Sequence, residues 1–587
     1  MRILRATPLA FLLAAAALTG ATPGVGEAQP PQKQAKQKLK QFAKQQVAAA
    51  EARKLALQEE NARKAAAAKA TAQPRKPQKP PAPLPAPVSP AALAQKIDAM
   101  VLAKISAEGL TPSPRSSDAE FLRRVSLDLA GVIPTAAEAR AFLDDSDPAK
   151  REMLVDKLLA DERYGKHLAD LWAAKLYPID SGNRFITKAP LRDWLAAEFN
   201  ANTPWDQLVT KLVTATGTAE ENPAVILFQA NRSVDKLTDI VGTHFLGQSV
   251  ACAQCHDHPF TPMEQTEYWG LAAFFSKVSI PRPRNPKQTG TDNAQLKVLE
   301  TPLPSRQKDF FPDSTLKVSP SVLGGIPIGV AAREPYRPEL AKWLTSPKNE
   351  LFARAAANRT WAQLLGRGIV NPPEDMHDGN EPSHPELLAA LAGQLAATKF
   401  DLKGLTKAIV LSETYQRTSK PVAGNEDDAI LQSHRMVKVM SPEQLYDSLQ
   451  TLAARVPAAA VARAGKAKGA NGPMRNNPNA RDQFVNFFLA GAEKPNAAEY
   501  EAGIPQALKL MNARTTLGNN PNSGRLFGKP GDRPADLIEE MVLATLSRRP
   551  TPAERAKFLG YARDGGPTAM ADILWVLTNT SEFALIR

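Results

Sequence analysis

Residues 89–105 read SPAALAQKIDAMVLAKI, and the fold can be read outward from this stretch. Ser89 can cap a helix whose first position is Pro90. Leu93, Ile97, Met100, Val101 and Ile105 recur at the three- and four-residue spacing that lines one helical face. The same grammar returns along the chain. Thr135 with Glu138 is a capping box, Asp147 before Pro148 opens a helix, and Ser383 with Glu386 marks another start. Ser441 with Gln444 behind Pro442 and Thr551 with Glu554 behind Pro552 complete the set. There is no GxGxxG, no phosphate loop and no alternating strand–helix rhythm, which argues against a doubly wound sheet. The pattern predicts a mainly α protein with two helical domains, residues 91–279 and 336–587. A loop-rich insert with short β-strands, residues 280–335, joins them. PRPRNPK, QLKVLETP and SVLGGIP fall in that insert, and residues 456–481 lack periodicity and are expected outside the core.

The chain has 587 residues, with 73 Lys plus Arg against 60 Asp plus Glu, a net charge of +13. Residues 31–80 hold 13 Lys plus Arg against 3 Glu, a net of +10, and residues 81–587 carry only +2. The basic balance belongs to a tail, so nucleic acid is not an expected partner of the globular part. Residues 1–28 read as a signal peptide: Arg2 and Arg5, the apolar run Leu9 to Leu18, then small residues that allow cleavage after Ala21 or Ala28. That run is shorter than the ~20 residues a membrane-spanning helix needs, and no later segment is longer. The expectation is an exported protein, periplasmic or cell-surface, without a transmembrane helix after cleavage. An uncleaved anchor is the other reading. Residues 29–90 comprise a Lys/Gln/Ala-rich segment, read as a disordered or helical basic tail, and a Pro-rich linker. The basic residues 31–80 are either simply solvated or contact an anionic surface or cell-wall polymer.

The two cysteines, the only ones in the chain, stand in Cys252-Ala253-Gln254-Cys255-His256, followed by Asp257 and His258. Chance placement would give C-x-x-C-H about once in 10⁴ such sequences. The motif has a mechanical meaning: two thiols one turn apart add to the vinyl groups of haem, and the adjacent imidazole becomes the proximal iron ligand. The attachment is completed outside the cytosol, in agreement with the export signal. Cys252, Cys255 and His256 are therefore the candidate haem c site. Zinc held by Cys252, Cys255 and His256 or His258 is the alternative cofactor, and a redox dithiol or a plain disulfide also remains open. The sixth iron position has candidates in His258, His244, Met263, Met376 and His377. His258 is so close to the attachment point that orienting a partner or meeting a propionate suits it better. Pro259, Phe260, Tyr268, Trp269, Leu271, Phe274 and Phe275 form an aromatic-rich cluster, either wall of a haem face or core. In NPPEDMHDGNEPSHPELL, residues 371–388, Glu374, Asp375, His377 and Asp378 could serve a metal or substrate, or only turns and caps. His384 reads as structural. No G-x-S-x-G, H-E-x-x-H or paired-carboxylate signature names a hydrolase.

FLRRVSLDLAGVIPTAAEARAFL (121–143), CAQCHDHPF (252–260), EYWGLAAFF (267–275) and ELAKWLTSPKNELFARAAANRTWAQLLGRGIV (339–370) occur in that order. SHPELLAALA (383–392), LSETYQRTS (411–419), SPEQLYDSL (441–449), ATLSRRPTPAE (544–554) and DILWVLTNTSEF (572–583) follow. Over about residues 92–587 the sequence resembles the planctomycete-type cytochrome-associated pair of domains of unknown function, fifteen-forty-nine followed by fifteen-fifty-three. The resemblance implies an exported, mostly helical protein whose first domain carries the C-x-x-C-H signature, and it supplies no reaction. Many members carry a separate cytochrome-like module near the N terminus. This sequence has the basic tail and Pro-rich linker there instead, which puts a relay between two haems in doubt. The leading expectation is a c-type redox or electron-transfer protein with an unknown partner. A non-redox surface or periplasmic scaffold, polysaccharide-related, is the rival class, and a hydrolase using Glu374 to Asp378 is the third.

Overall fold

A computed structural model describes residues 84–177, 186–281, 296–302, 318–453, 480–489 and 533–587. The signal segment, most of the tail and residues 456–479 lie outside the described residues. Helices dominate. The first, Pro90–Ala107, starts where its sequence says: the Ser89 hydroxyl accepts from Ala92 N at 3.2 Å, and Leu93, Ile97, Val101 and Ile105 are buried. Capping boxes form at Thr135/Glu138 and Thr551/Glu554. At Ser441/Gln444 both reciprocal bonds are present, at 2.9 and 3.2 Å. Two starts shift. Asp147 accepts from Ala149 N, and its helix is Lys150–Ala160. Pro385 occupies the first turn of Pro385–Ala397, so His384 takes the cap position and the Ser383 hydroxyl turns to Ile369 O and the His384 ring.

Strands are short. Val278–Ser279 pairs with Leu299–Glu300, and Ser321–Val322 with Ile326–Pro327, both antiparallel and both belonging to the predicted insert or its edge. A third pair, Lys438–Val439 with Leu585–Ile586, ties the C-terminal segment to the middle of the chain. The main buried cluster runs from Leu93 to Ile586 and draws on helices from both sides of the insert. Helix Pro90–Ala107 packs on Leu402–Leu411, and Ala136–Asp144 packs on Pro534–Leu546.

The segment LRRVSLDLAG holds these pieces together. Helix Asp118–Val125 passes into a five-residue π-turn, Ser126–Ala130, closed by Gly131 in the left-handed region. An added Cβ on Gly131 would lie 2.7 Å from the His167 ring, so glycine is required there twice over. The π-turn aims buried Asp128 at distant partners: Tyr415 donates to it at 2.8 Å, Lys438 Nζ at 2.5 Å, and Arg435 stands 3.7 Å away. Arg124 reaches Tyr415 O at 2.7 Å, Arg587 O at 2.6 Å and Glu120 at 2.7 Å. Arg123 reaches Thr545 O and Phe583 O. A charge buried this deeply is tolerated because it is paired and hydrogen-bonded.

Candidate functional site

The C-x-x-C-H segment sits on a short turn, Ala251–Gln254, rather than on a regular helix. Both thiols are free and exposed, and His256 is exposed beside them. Beneath the turn lies a separate small apolar cluster of Val250, Ala253, Met263, Tyr268, Trp269 and Ala272. Helix Gln265–Ala272 fastens the turn from below. Trp269 Nε1 and Gln265 Nε2 both donate to Gln254 O, at 3.1 and 3.0 Å, and Gln265 N donates to Asp257 at 3.0 Å. Of the expected aromatic cluster, Tyr268 and Trp269 support the turn, whereas Leu271, Phe274 and Phe275 belong to the main core. Phe260 is 78% exposed.

The histidines near the turn are held in different ways. His256 Nδ1 lies 2.7 Å from Asp257 O. A carbonyl only accepts, so Nδ1 is the donor in this contact and Nε2 is the ring nitrogen it leaves unengaged. His258 is a strut: its Nδ1 accepts from Phe260 N and Thr261 N, at 3.2 and 3.1 Å, and its Nε2 meets Ser249 O at 3.1 Å. Burial pushes its pKa down, with the neighbouring His377 and His256 adding to the shift. Behind the turn, burial raises the Asp239 carboxyl to about 6 while the Tyr268 hydroxyl, 3.2 Å away, opposes the rise.

The second polar segment lies against the first. Met376 N donates to Gly247 O at 2.8 Å, and Gln248 donates to Met376 O. Asp375 and His377 are close enough to His258 to act on its proton equilibrium. Glu374 turns inward to Arg359, at 2.6 Å, and to Lys175, at 3.9 Å. Burial acts to raise the Glu374 carboxyl, but those two cations hold it below the ordinary value. Arg359 also donates to Thr243 O at 3.1 Å. His377 Nδ1 accepts from Gly379 N at 3.0 Å, and its Nε2 lies 3.5 Å from Asp375, while Asp378 is exposed. His244 occupies a second π-turn, Val241–Phe245. Burial, with Arg359 and Lys175 nearby, keeps its pKa well below the usual value. Its Nδ1 has no hydrogen-bond partner. Met263 and Met376 are both buried, Met263 in the small cluster and Met376 with its methyl against Gly247.

The structure thus brings Cys252 to His258 and Glu374 to Asp378 together, and adds Lys175, Gly247, Gln248 and Arg359, which sequence reasoning did not single out. Among the described residues, no three His, Cys, Asp or Glu side chains are gathered closely enough to hold a metal ion by themselves. Two exposed thiols beside one exposed imidazole are the groups that covalent haem attachment would use, the ring itself bringing four of the iron's ligands.

Two regions of the chain match known families. Residues 96–280 match a protein of unknown function (DUF1549), and residues 336–464 match a protein of unknown function (DUF1553). The chain belongs to the proteins that carry this ordered pair, with the C-x-x-C-H turn inside the first match and the Asn371–Asp378 loop inside the second. No curated protein and no solved structure matches it.

Proposed function

We propose that the chain is an exported c-type haem protein with a redox or electron-transfer role, in which Cys252 and Cys255 carry the haem as thioethers and His256 is the proximal ligand. The observation that carries this reading is the hydrogen bond from His256 Nδ1 to Asp257 O, 2.7 Å, which leaves Nε2 as the nitrogen able to ligate. Haem bound there would supply one-electron chemistry. The protein's own part is to hold the turn: Trp269 and Gln265 fix Gln254 O, and His258 pins the segment that follows. Export rests on the signal-like residues 1–28. Among the described residues no helix is long and apolar enough to cross a membrane.

The surroundings also suit a particular kind of redox partner. No Lys or Arg occurs from His244 to Ser276 or from Gly368 to Thr398, whereas Asp257, Glu264, Asp375, Asp378 and Glu381 do. Acidic side chains such as these steer partners of the opposite sign, so the partner expected is a protein with a lysine- or arginine-rich patch.

The test is maturation in an exporting host equipped for haem attachment. The product should show a Soret band, retain peroxidase-stainable haem after denaturing electrophoresis, and gain the mass of one porphyrin. Cys255→Ser should abolish the two-thioether product. Colourless protein, under conditions that colour an established c-type cytochrome, overturns the reading. One equivalent of zinc in that colourless product would favour the scaffold class.

A further inference from the structure

The π-turn that directs Asp128 at Lys438 also presents Ser126 and Ala130 to a groove far along the chain from the cysteines. Leu122, Val132, Phe142, Leu154 and Leu158 supply its apolar wall, and Met153, 47% exposed, stands at the mouth. Its volume is about 220 Å³. Pockets for drug-sized ligands run from about 300 to 1,000 Å³, so this one has room for a single chain or ring and not for a polycycle. π-turns concentrate at functional sites, because one extra residue in the helical ring re-aims its neighbours.

The charges on the rim decide what the groove would take. Lys150 is fully engaged, with Phe142 O at 3.3 Å, Asp145 O at 2.7 Å and Asp118 at 2.7 Å. Arg163 pairs with Asp161 and Glu138, and Glu138 is also occupied in the Thr135 capping box. Asp145 accepts from Asp147 N at 2.8 Å. Lys157 alone of the charged groove residues has neither a hydrogen bond nor an ion pair, though Asp161 lies within electrostatic range. The uncommitted charge at the mouth is therefore an exposed ammonium at the edge of an apolar slot.

We propose that this groove binds a single-chain amphiphile, with its alkyl or acyl chain along Leu122, Phe142 and Leu158 and its anionic head at Lys157. The site is independent of the haem reading and stands or falls without it.

The probe is sodium decanoate, used below its micellar concentration on the full chain, with decyltrimethylammonium as the same tail bearing the opposite charge. Titration calorimetry should show one decanoate site, with the cationic analogue at least tenfold weaker. Lys157→Glu should weaken decanoate at least tenfold and narrow or reverse the preference. Ala141→Trp, placed on an exposed groove residue so that the core stays intact, should remove binding while leaving the thermal midpoint of the free protein unchanged. Absence of decanoate binding, or wild-type binding by Ala141→Trp, overturns the site. Equal binding of both amphiphiles, unaffected by Lys157→Glu, overturns the assignment of the head group.

Discussion

The Asp128 π-turn and the Cys252–His258 turn are both irregular segments rich in polar groups, and they use them in opposite ways. At Asp128 the groups face inward: both carboxylate oxygens are engaged by residues far along the chain, and nothing is left to react. At Cys252–His258 the backbone is secured from below, while two thiols and an imidazole nitrogen face solvent without a structural duty. The difference separates polar residues that hold a fold from polar residues held by one. It also says where substitution should damage stability and where it should damage chemistry alone.

The sharpest way to break this comparison is Asp128→Ala. It leaves Lys438 and Arg435 buried without their carboxylate, and removing one partner of a buried pair costs about 3–5 kcal/mol. Denaturant unfolding should show a loss of unfolding free energy of that order, read as a lower midpoint at unchanged slope. Cys255→Ser, at an exposed position, should stay within about 0.5 kcal/mol of wild type in haem-free protein. Comparable losses from the two substitutions would erase the distinction.

Acid should weaken the inward-facing regions through their histidines. Burial pushes His167, beside Gly131, and His384, at the cap of Pro385–Ala397, down to about 4. In the unfolded chain each takes its proton near 6.5. Between those values the unfolded state binds more protons than the folded one, so stability falls as pH drops from about 6.5 to about 4. Each group contributes up to about 3 kcal/mol across that window. Denaturant midpoints measured at pH 7 and pH 4.5 should differ accordingly. His384→Gln should show a smaller difference than wild type, and an unchanged pH slope in that variant would remove His384 from the account.

Local signals carried much of this architecture. The caps at Ser89, Thr135, Ser441 and Thr551 work as their side-chain chemistry dictates, because capping involves neighbours three residues apart. The C-x-x-C-H turn was equally visible, since it lies within seven residues. Lys438 and Tyr415 were not legible as partners of Asp128, being 310 and 287 residues away, with nothing local to pair them. Arg359 was missed at the candidate site for the same reason: it reads as one more residue of a helix, yet it reaches Thr243 O across 116 positions. The two π-turns have no sequence grammar of their own, because the extra residue in the ring is sustained by tertiary packing rather than by spacing.

A smaller loss than those from acid or Asp128→Ala tests whether the outward-facing site spans both matched regions. Gly247 sits at φ +64°, and an added Cβ would fall 2.4 Å from Met376 Cε and 3.3 Å from Ala355 Cβ and Pro373 O. The positive φ alone costs a non-glycine residue about 1 kcal/mol, and displacing the Met376 methyl adds roughly as much again. Gly247→Ala should therefore destabilise by about 2 kcal/mol in wild type, but by only about 1 kcal/mol in a Met376→Ala background, where the overlap is gone and the backbone cost remains. The coupling is what matters: Gly247 precedes the cysteine turn, and Met376 lies on the loop that carries Asp375 and His377. If the two substitutions add without interaction, the Met376 side chain does not press on Gly247, and these loops are joined by hydrogen bonds to the backbone. The acidic loop would then have to be treated as a neighbour of the C-x-x-C-H turn, not as part of its site.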